Sequence, residues 1–249
     1  MHIETTRFLG VEFANLTYRE VAVRLDGLSQ SDTFSYVVTP NVDHVVMLHE
    51  HQDERVRSQF AEAYDAAALR LCDSRILQLL AKFRGINLEN VTGSDLTKML
   101  FERGHFADKK VAIVGGDRTM IRDLVGRFPA TDFVQHIPPM GLLERPEAIR
   151  DIELWLAQQR PEYVLFAVGS PQSEIIANKC FDSGRLKGIG LCIGASIEFI
   201  LERKTRAPLW LQRARLEWAF RLCSEPRRLW RRYLLRGPRI FYIAFKDFF

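Results

Sequence analysis

The chain has 249 residues, 47% hydrophobic and 27% charged, with a net charge of +4. That composition closes a full core, and the length suits one large domain or a domain with an appendage. Four scattered cysteines without a C-x-x-C pair read as thiols of a reducing compartment. The absence of an apolar leader after Met1, or of any apolar run of about 18 residues, argues against a secreted or membrane-spanning chain.

Taken in chain order, apolar runs alternate with helix-length segments. Strands are expected at Phe8–Phe13, Phe34–Val38, Ala67–Leu71, Lys110–Val114, Phe133–Ile137, Tyr163–Val168 and Gly188–Ile193. Helices are expected at Thr17–Leu25, Val42–His51, Ser74–Phe83, Asp95–Arg103, Arg118–Arg127, Pro146–Gln159 and Pro171–Cys180. Most of the strand runs are continuously apolar, which fits strands buried on both faces. The alternation predicts an α/β fold with a mostly parallel sheet. The rhythm stops near Arg203. Residues 203–249 hold 13 Lys/Arg and 3 Asp/Glu, a local +10, against −6 for residues 1–202. Three tryptophans (Trp210, Trp218, Trp230) lie in this basic segment. We therefore divide the chain into a core, residues 1–202, and a basic aromatic appendage, residues 203–249. A basic and aromatic segment suits an anionic membrane surface. Nucleic acid is not an expected partner, because no RRM, KH or helix-turn-helix pattern accompanies the arginines, and a nucleic-acid-binding protein stays only as the less favoured alternative.

In an open parallel sheet ligands bind beyond the carboxyl ends of the strands. The residues that follow the predicted strands are therefore the candidates. Asp73 reads either as a helix N-cap or as a general base. Thr39 and Asn41 read either as caps of the next helix or as ligand contacts. Gly115-Gly116 fits a tight turn without a G-x-G-x-x-G fingerprint. Gly169 and Pro171 fit a strand, a turn and a helix start, which puts Gln172 and Glu174 in a first helical turn. Gly194 follows the last strand. His44, His49 and His51 share one helix and read as a solvated face. No metal-ligand spacing is visible, and neither a metal nor a cofactor is expected.

Several strings together resemble the WecG/TagA/CpsF glycosyltransferases, glycosyltransferase family 26. They are Thr39-Pro40-Asn41, Val91-Thr92-Gly93-Ser94-Asp95-Leu96, Gly169-Ser170-Pro171 with Glu174, Arg206-Ala207-Pro208, and Glu225-Pro226-Arg227-Arg228-Leu229-Trp230-Arg231-Arg232-Tyr233-Leu234. The resemblance runs from about Phe8 to Arg239. It implies a Rossmann-like core with a membrane-docking C-terminal appendage, at the inner face of the cell membrane. It implies an inverting, metal-independent transfer from a UDP-sugar to a polyprenyl-diphosphate-linked saccharide, in cell-surface or exopolysaccharide synthesis. Asp73 falls on the family's catalytic aspartate, and Thr39 and Asn41 fall in its donor pocket. Members can self-associate, and the apolar last residues suit a homo-oligomer. From the physics of an inverting displacement, Asp73 is the expected base. Arg206, Arg213, Arg228, Arg231 and Arg232, with Trp230, are the expected contacts to diphosphate, acceptor or membrane. Ser74, Asn90, Gln172 and Ser173 depart from the family pattern. They leave the donor open between a UDP-N-acetylmannosamine type and a UDP-hexose such as UDP-glucose. They also keep open a nucleotide-sugar binder without turnover.

Overall fold

The apolar runs become the strands of a parallel sheet. The computed structural model describes residues 3–205, 207–208, 211 and 216–248, the side chains of residues 228 and 248 excepted. A two-stranded antiparallel hairpin comes first, β1 (Thr5–Phe8) and β2 (Val11–Ala14). One strand over Phe8–Phe13 was expected. The chain reverses there because Leu9 and Gly10 both take positive φ, at 47° and 77°, which is the geometry of a two-residue hairpin turn.

The main sheet contains β3 (Phe34–Val38), β4 (Leu69–Arg70), β5 (Lys110–Gly115), β6 (Asp132–His136), β7 (Tyr163–Ala167) and β8 (Gly188–Cys192). Their spatial order is β4-β3-β8-β7-β5-β6, and each neighbouring pair is parallel. Successive side chains of a strand point to opposite faces, so each buried run feeds both layers. Tyr36, Val38, Val114 and Phe166 pack on one face against helices that include α2 (Val42–Glu50), α3 (Glu54–Ala66), α7 (Pro146–Gln159) and α8 (Gln172–Asp182). Val37, Ile113, Leu165 and Leu191 pack on the other against α1 (Tyr18–Ser29), α5 (Gly93–Glu102), α6 (Met120–Arg127) and α9 (Ser196–Ile200). A further helix, α4 (Arg75–Phe83), follows β4. Helix α3 had no counterpart among the expected elements. Its polar sequence carries only three buried residues, Phe60, Ala63 and Tyr64.

After α9 come α10 (Glu217–Ser224), α11 (Pro226–Trp230), a π-helical turn over Arg231–Arg236, and α12 (Arg239–Phe248). Ile240, Ile243 and Ala244 of α12 are buried in the same apolar cluster as α2. The opposite side of this region leaves Trp230, Leu234, Leu235, Phe241, Tyr242 and Phe245 exposed. Among the described residues no helix is long and apolar enough to cross a membrane.

Candidate active site

A cavity of about 670 Å³ opens at the carboxyl edge of the sheet, where β3, β7 and β8 end side by side. Thr39, Asn41, Asp73, Gly116, Gly169, Glu174 and Gly194 all line it. The strand-end rule therefore gathers these residues although they lie far apart in the sequence. Gly115, Pro171 and Gln172 stand just behind the wall and are not among its lining residues. Gly115 has a packing reason for being glycine. Its φ is +110°, and a Cβ there would sit 2.9 Å from the backbone of Ala167 on the neighbouring strand.

Asp73 is not a helix cap. Ser74 caps α4, accepting from Leu77 N–H at 3.2 Å. The Asp73 carboxylate instead accepts from Gly93 N–H at 3.2 Å. Burial pushes its pKa up to about 7, opposed first by the nearby Arg221 guanidinium and then by the Gly93 hydrogen bond. A carboxylate with a pKa near the working pH is suited to accept a hydroxyl proton. Gly93 itself sits tightly here, since a Cβ on it would lie 3.0 Å from Thr39 Oγ1. Thr39 is buried and donates to the Cys192 carbonyl at 3.4 Å. Asn41 is the cap of α2, accepting from the N–H groups of Asp43 at 3.0 Å and His44 at 3.4 Å.

The C-terminal helices form the other wall of this cavity. Arg232 donates to Asn41 Oδ1 at 3.2 Å and pairs with Asp43 at 3.2 Å. Arg236, one turn on, pairs with the other oxygen of Asp43 at 3.3 Å. Arg221 pairs with Glu217 at 2.7 Å and lines the cavity near Asp73. Arg231 and Trp230 do not line the cavity. The Arg231 guanidinium lies over the Trp230 ring at 5.4 Å, and that ring is 41% exposed. Arg206, Arg213 and the side chain of Arg228 lie outside the described residues.

Three functional-looking side chains escaped sequence reasoning. Arg221 was one arginine among many. Arg203, at the cavity rim, is bound to Asp117 and Asp123. His44 read as part of a solvated face, yet it is buried and lines the cavity because its ring lies against Phe60 and Tyr64 of α3. An apolar α3 would have signalled this, but α3 shows few apolar residues to a reader of the sequence. Among the described residues no group of three or more His, Cys, Asp or Glu side chains is arranged to hold a metal ion.

A second cavity of about 400 Å³ adjoins the first. It shares Asn41, Asp73, Arg221, Arg232 and Tyr233 with the first cavity and adds Val42, Ile76, Trp218, Pro238 and Phe241. Asp73 thus stands where a polar chamber and a more apolar one meet.

The family model for the glycosyl transferase WecG/TagA/CpsF family matches residues 6–249 of this sequence. The chain belongs to that family. Similar proteins include the N-acetylglucosaminyldiphosphoundecaprenol N-acetyl-beta-D-mannosaminyltransferases of Staphylococcus aureus strains MW2 and NCTC 8325 / PS 47. Each is 24% identical over 234 residues, covering 90% of this chain and 86% of the relative. The chain is accordingly a glycosyltransferase built on a parallel α/β sheet.

Proposed function

We propose that the enzyme moves N-acetylmannosamine from its UDP derivative to a polyprenyl-diphosphate-linked N-acetylglucosamine, with inversion. The observation that carries this reading is Asp73, ionisable near neutrality at the junction of the two cavities. The names of the relatives supply the sugar and the lipid class. The donor occupies the large polar cavity, its nucleotide across the strand ends at Gly116, Gly169 and Gly194. The acceptor enters from the smaller chamber, where Trp218, Ile76 and Phe241 suit the start of a lipid chain.

In a single displacement, Asp73 takes the proton of the acceptor hydroxyl as its oxygen bonds the anomeric carbon. The bond to the UDP oxygen breaks at the same time, and negative charge grows on the leaving diphosphate. Arg221 and Arg232 are the described guanidinium groups placed to stabilise it, since both line each cavity. Fixed guanidinium groups in a recessed site stabilise such charge more strongly than water does. The exposed aromatic and leucine side of residues 230–245 rests on an anionic membrane surface and brings the lipid-linked acceptor to the second cavity.

The reading is tested by measuring UDP release from UDP-N-acetylmannosamine with a lipid-diphosphate-N-acetylglucosamine acceptor. Release that depends on that acceptor and disappears in Asp73→Asn supports it. Release from UDP-glucose alone would replace the donor assignment. UDP binding without release under any donor would favour a binder without turnover.

A further inference from the structure

Asp73 is held by a stretch of chain that another helix holds in turn. Residues 87–93 lead from α4 into α5 and pair with Cys72 just beyond β4. Val91 N–H donates to the Cys72 carbonyl at 2.9 Å, and Gly93 N–H donates to Asp73 Oδ2 at 3.2 Å. The other side of the same stretch is tied to residues 15–18. Asn15 donates to the Asn87 carbonyl at 3.2 Å and accepts from Glu89 N–H at 3.3 Å. Tyr18, the first residue of α1, accepts from Thr92 N–H at 3.0 Å through its hydroxyl.

Consecutive amides thus serve partners on two sides, Thr92 N–H on Tyr18 and Gly93 N–H on Asp73. Thr92 is the N-cap of α5, with extended backbone at φ −75° and ψ 140°. The first N–H groups of a helix have no partner inside it and are free to hold one outside. Tyr18 is fixed from its own side. Thr17 caps α1 in a capping box with Glu20, and the Tyr18 ring packs against the apolar cluster that includes Val91 and Leu96. Tyr18 lines neither cavity. The other groups acting on Asp73 are Arg221 and Glu217 of α10, Asp95 of α5, Tyr64 of α3 and the adjacent Cys72. Arg75 and Arg232 line the smaller cavity with it. Arg221 and the Gly93 N–H favour its ionised form, and Glu217 and Asp95 oppose it.

We propose that Tyr18 is a positioning residue for the Asp73 carboxylate, acting through the backbone of Thr92 and Gly93. This rests on the reading of Asp73 as the base. Without the hydroxyl, Thr92 N–H loses its acceptor in a part-buried place, and the start of α5 shifts to find another. Gly93 N–H then slips off the carboxylate, whose ionised form loses a hydrogen bond that favours it.

Tyr18→Phe keeps the ring and removes the hydroxyl. UDP release from UDP-N-acetylmannosamine with the lipid-diphosphate acceptor, followed from about pH 5.5 to about pH 9, should climb at higher pH than in the wild type. The rate at about pH 6 falls about three- to tenfold, the scale of weakening a hydrogen bond to a charged group, and the rate at about pH 9 stays within about twofold. A carbon-13 NMR titration of the Asp73 carboxyl, assigned with Asp73→Asn, should shift the same way. Asp26→Asn is the control. It breaks the 2.8 Å ion pair with Lys109 at the far end of α1, so it should lower the melting temperature without moving either titration. An Asp73 titration unchanged by Tyr18→Phe, or moved equally by Asp26→Asn, overturns the inference and leaves the proposed function intact. A carboxyl titration that shifts while the turnover profile stays in place overturns Asp73 as the base, and this inference with it.

Discussion

The strand-end edge of the sheet and the C-terminal helices line the same cavity but are held in place by different forces. The edge rests on strands whose side chains are nearly all buried in two apolar layers. Its loops are fixed by backbone geometry and short caps such as Asn41 and Ser74. The C-terminal helices have a smaller apolar anchor, Ile240, Ile243 and Ala244 of α12. Elsewhere they are held by ions: Arg232 and Arg236 on Asp43, and Arg239 on Glu50 at 2.8 Å. The sheet edge brings Asp73 and Glu174 to the cavity, and the C-terminal helices bring Arg221 and Arg232 together with Glu217 and Glu225.

The largest effect expected from breaking this arrangement comes on the rigid side. Asp73→Asn should lower turnover about a thousandfold, the usual scale for a lost general base, and leave UDP affinity nearly unchanged. Steady-state UDP release and titration with UDP measure the two. The same variant should be more stable, not less. The folded pKa of Asp73 lies above its unfolded value, so its stabilising contribution is complete below about pH 4 and is lost as pH rises through about 7. Removing the charge should then raise stability at pH 8 by about 1–2 kcal/mol, read from denaturant unfolding. A variant that loses both activity and stability would mean that Asp73 is structural.

Arg221→Gln tests the other side at the point where the two regions meet. Turnover should fall about a hundredfold, the scale of losing one charge-stabilising donor. Its pH profile should move as well. In the proposed mechanism Asp73 acts ionised, so the wild-type rate should climb as pH passes about 7. Arg221 holds that pKa down, so its loss should shift the climb to higher pH. A lower rate on an unmoved profile would place Arg221 away from the base.

Smaller effects are expected where the helices attach. Asp43→Asn removes the partner of two arginines that remain 30% and 43% exposed in their side chains, so the stability cost is about 1 kcal/mol or less. Trypsin should nonetheless cut the segment after residue 203 faster than in the wild type. The gentlest change is Phe241→Ser with Phe245→Ser. Both rings are more than half exposed, so folding should be unaffected. Flotation with vesicles containing anionic phospholipid should weaken by about tenfold or more, at roughly 1–2 kcal/mol of lost apolar burial for each ring. Unchanged flotation would show that this face does not meet lipid.

Much of the rigid side was legible in the sequence. Val111–Val114 and Tyr163–Phe166 have no polar residue among them, and such runs fit strands covered on both faces. Once those strands were placed, the strand-end rule selected Thr39, Asp73, Gly169, Glu174 and Gly194 without any contact information. Less was legible where polar sequence hides a buried patch. Helix α3 packs with few apolar residues, so neither it nor its partner His44 stood out.

The sequence alone determined the layer architecture, the edge of the sheet that carries the large cavity, and the family, because these depend on local periodicity and on motifs contiguous in the chain. Only the tertiary structure decided that Ser74 and not Asp73 caps α4, that Arg232 turns inward while Arg231 stacks outward on Trp230, and that Arg221 is the cation beside Asp73. Those outcomes depend on which face of a helix meets a neighbour distant in sequence. Adjacent arginines of one helix look alike in a string of letters and become different when a carboxylate such as Asp43 stands on one side only.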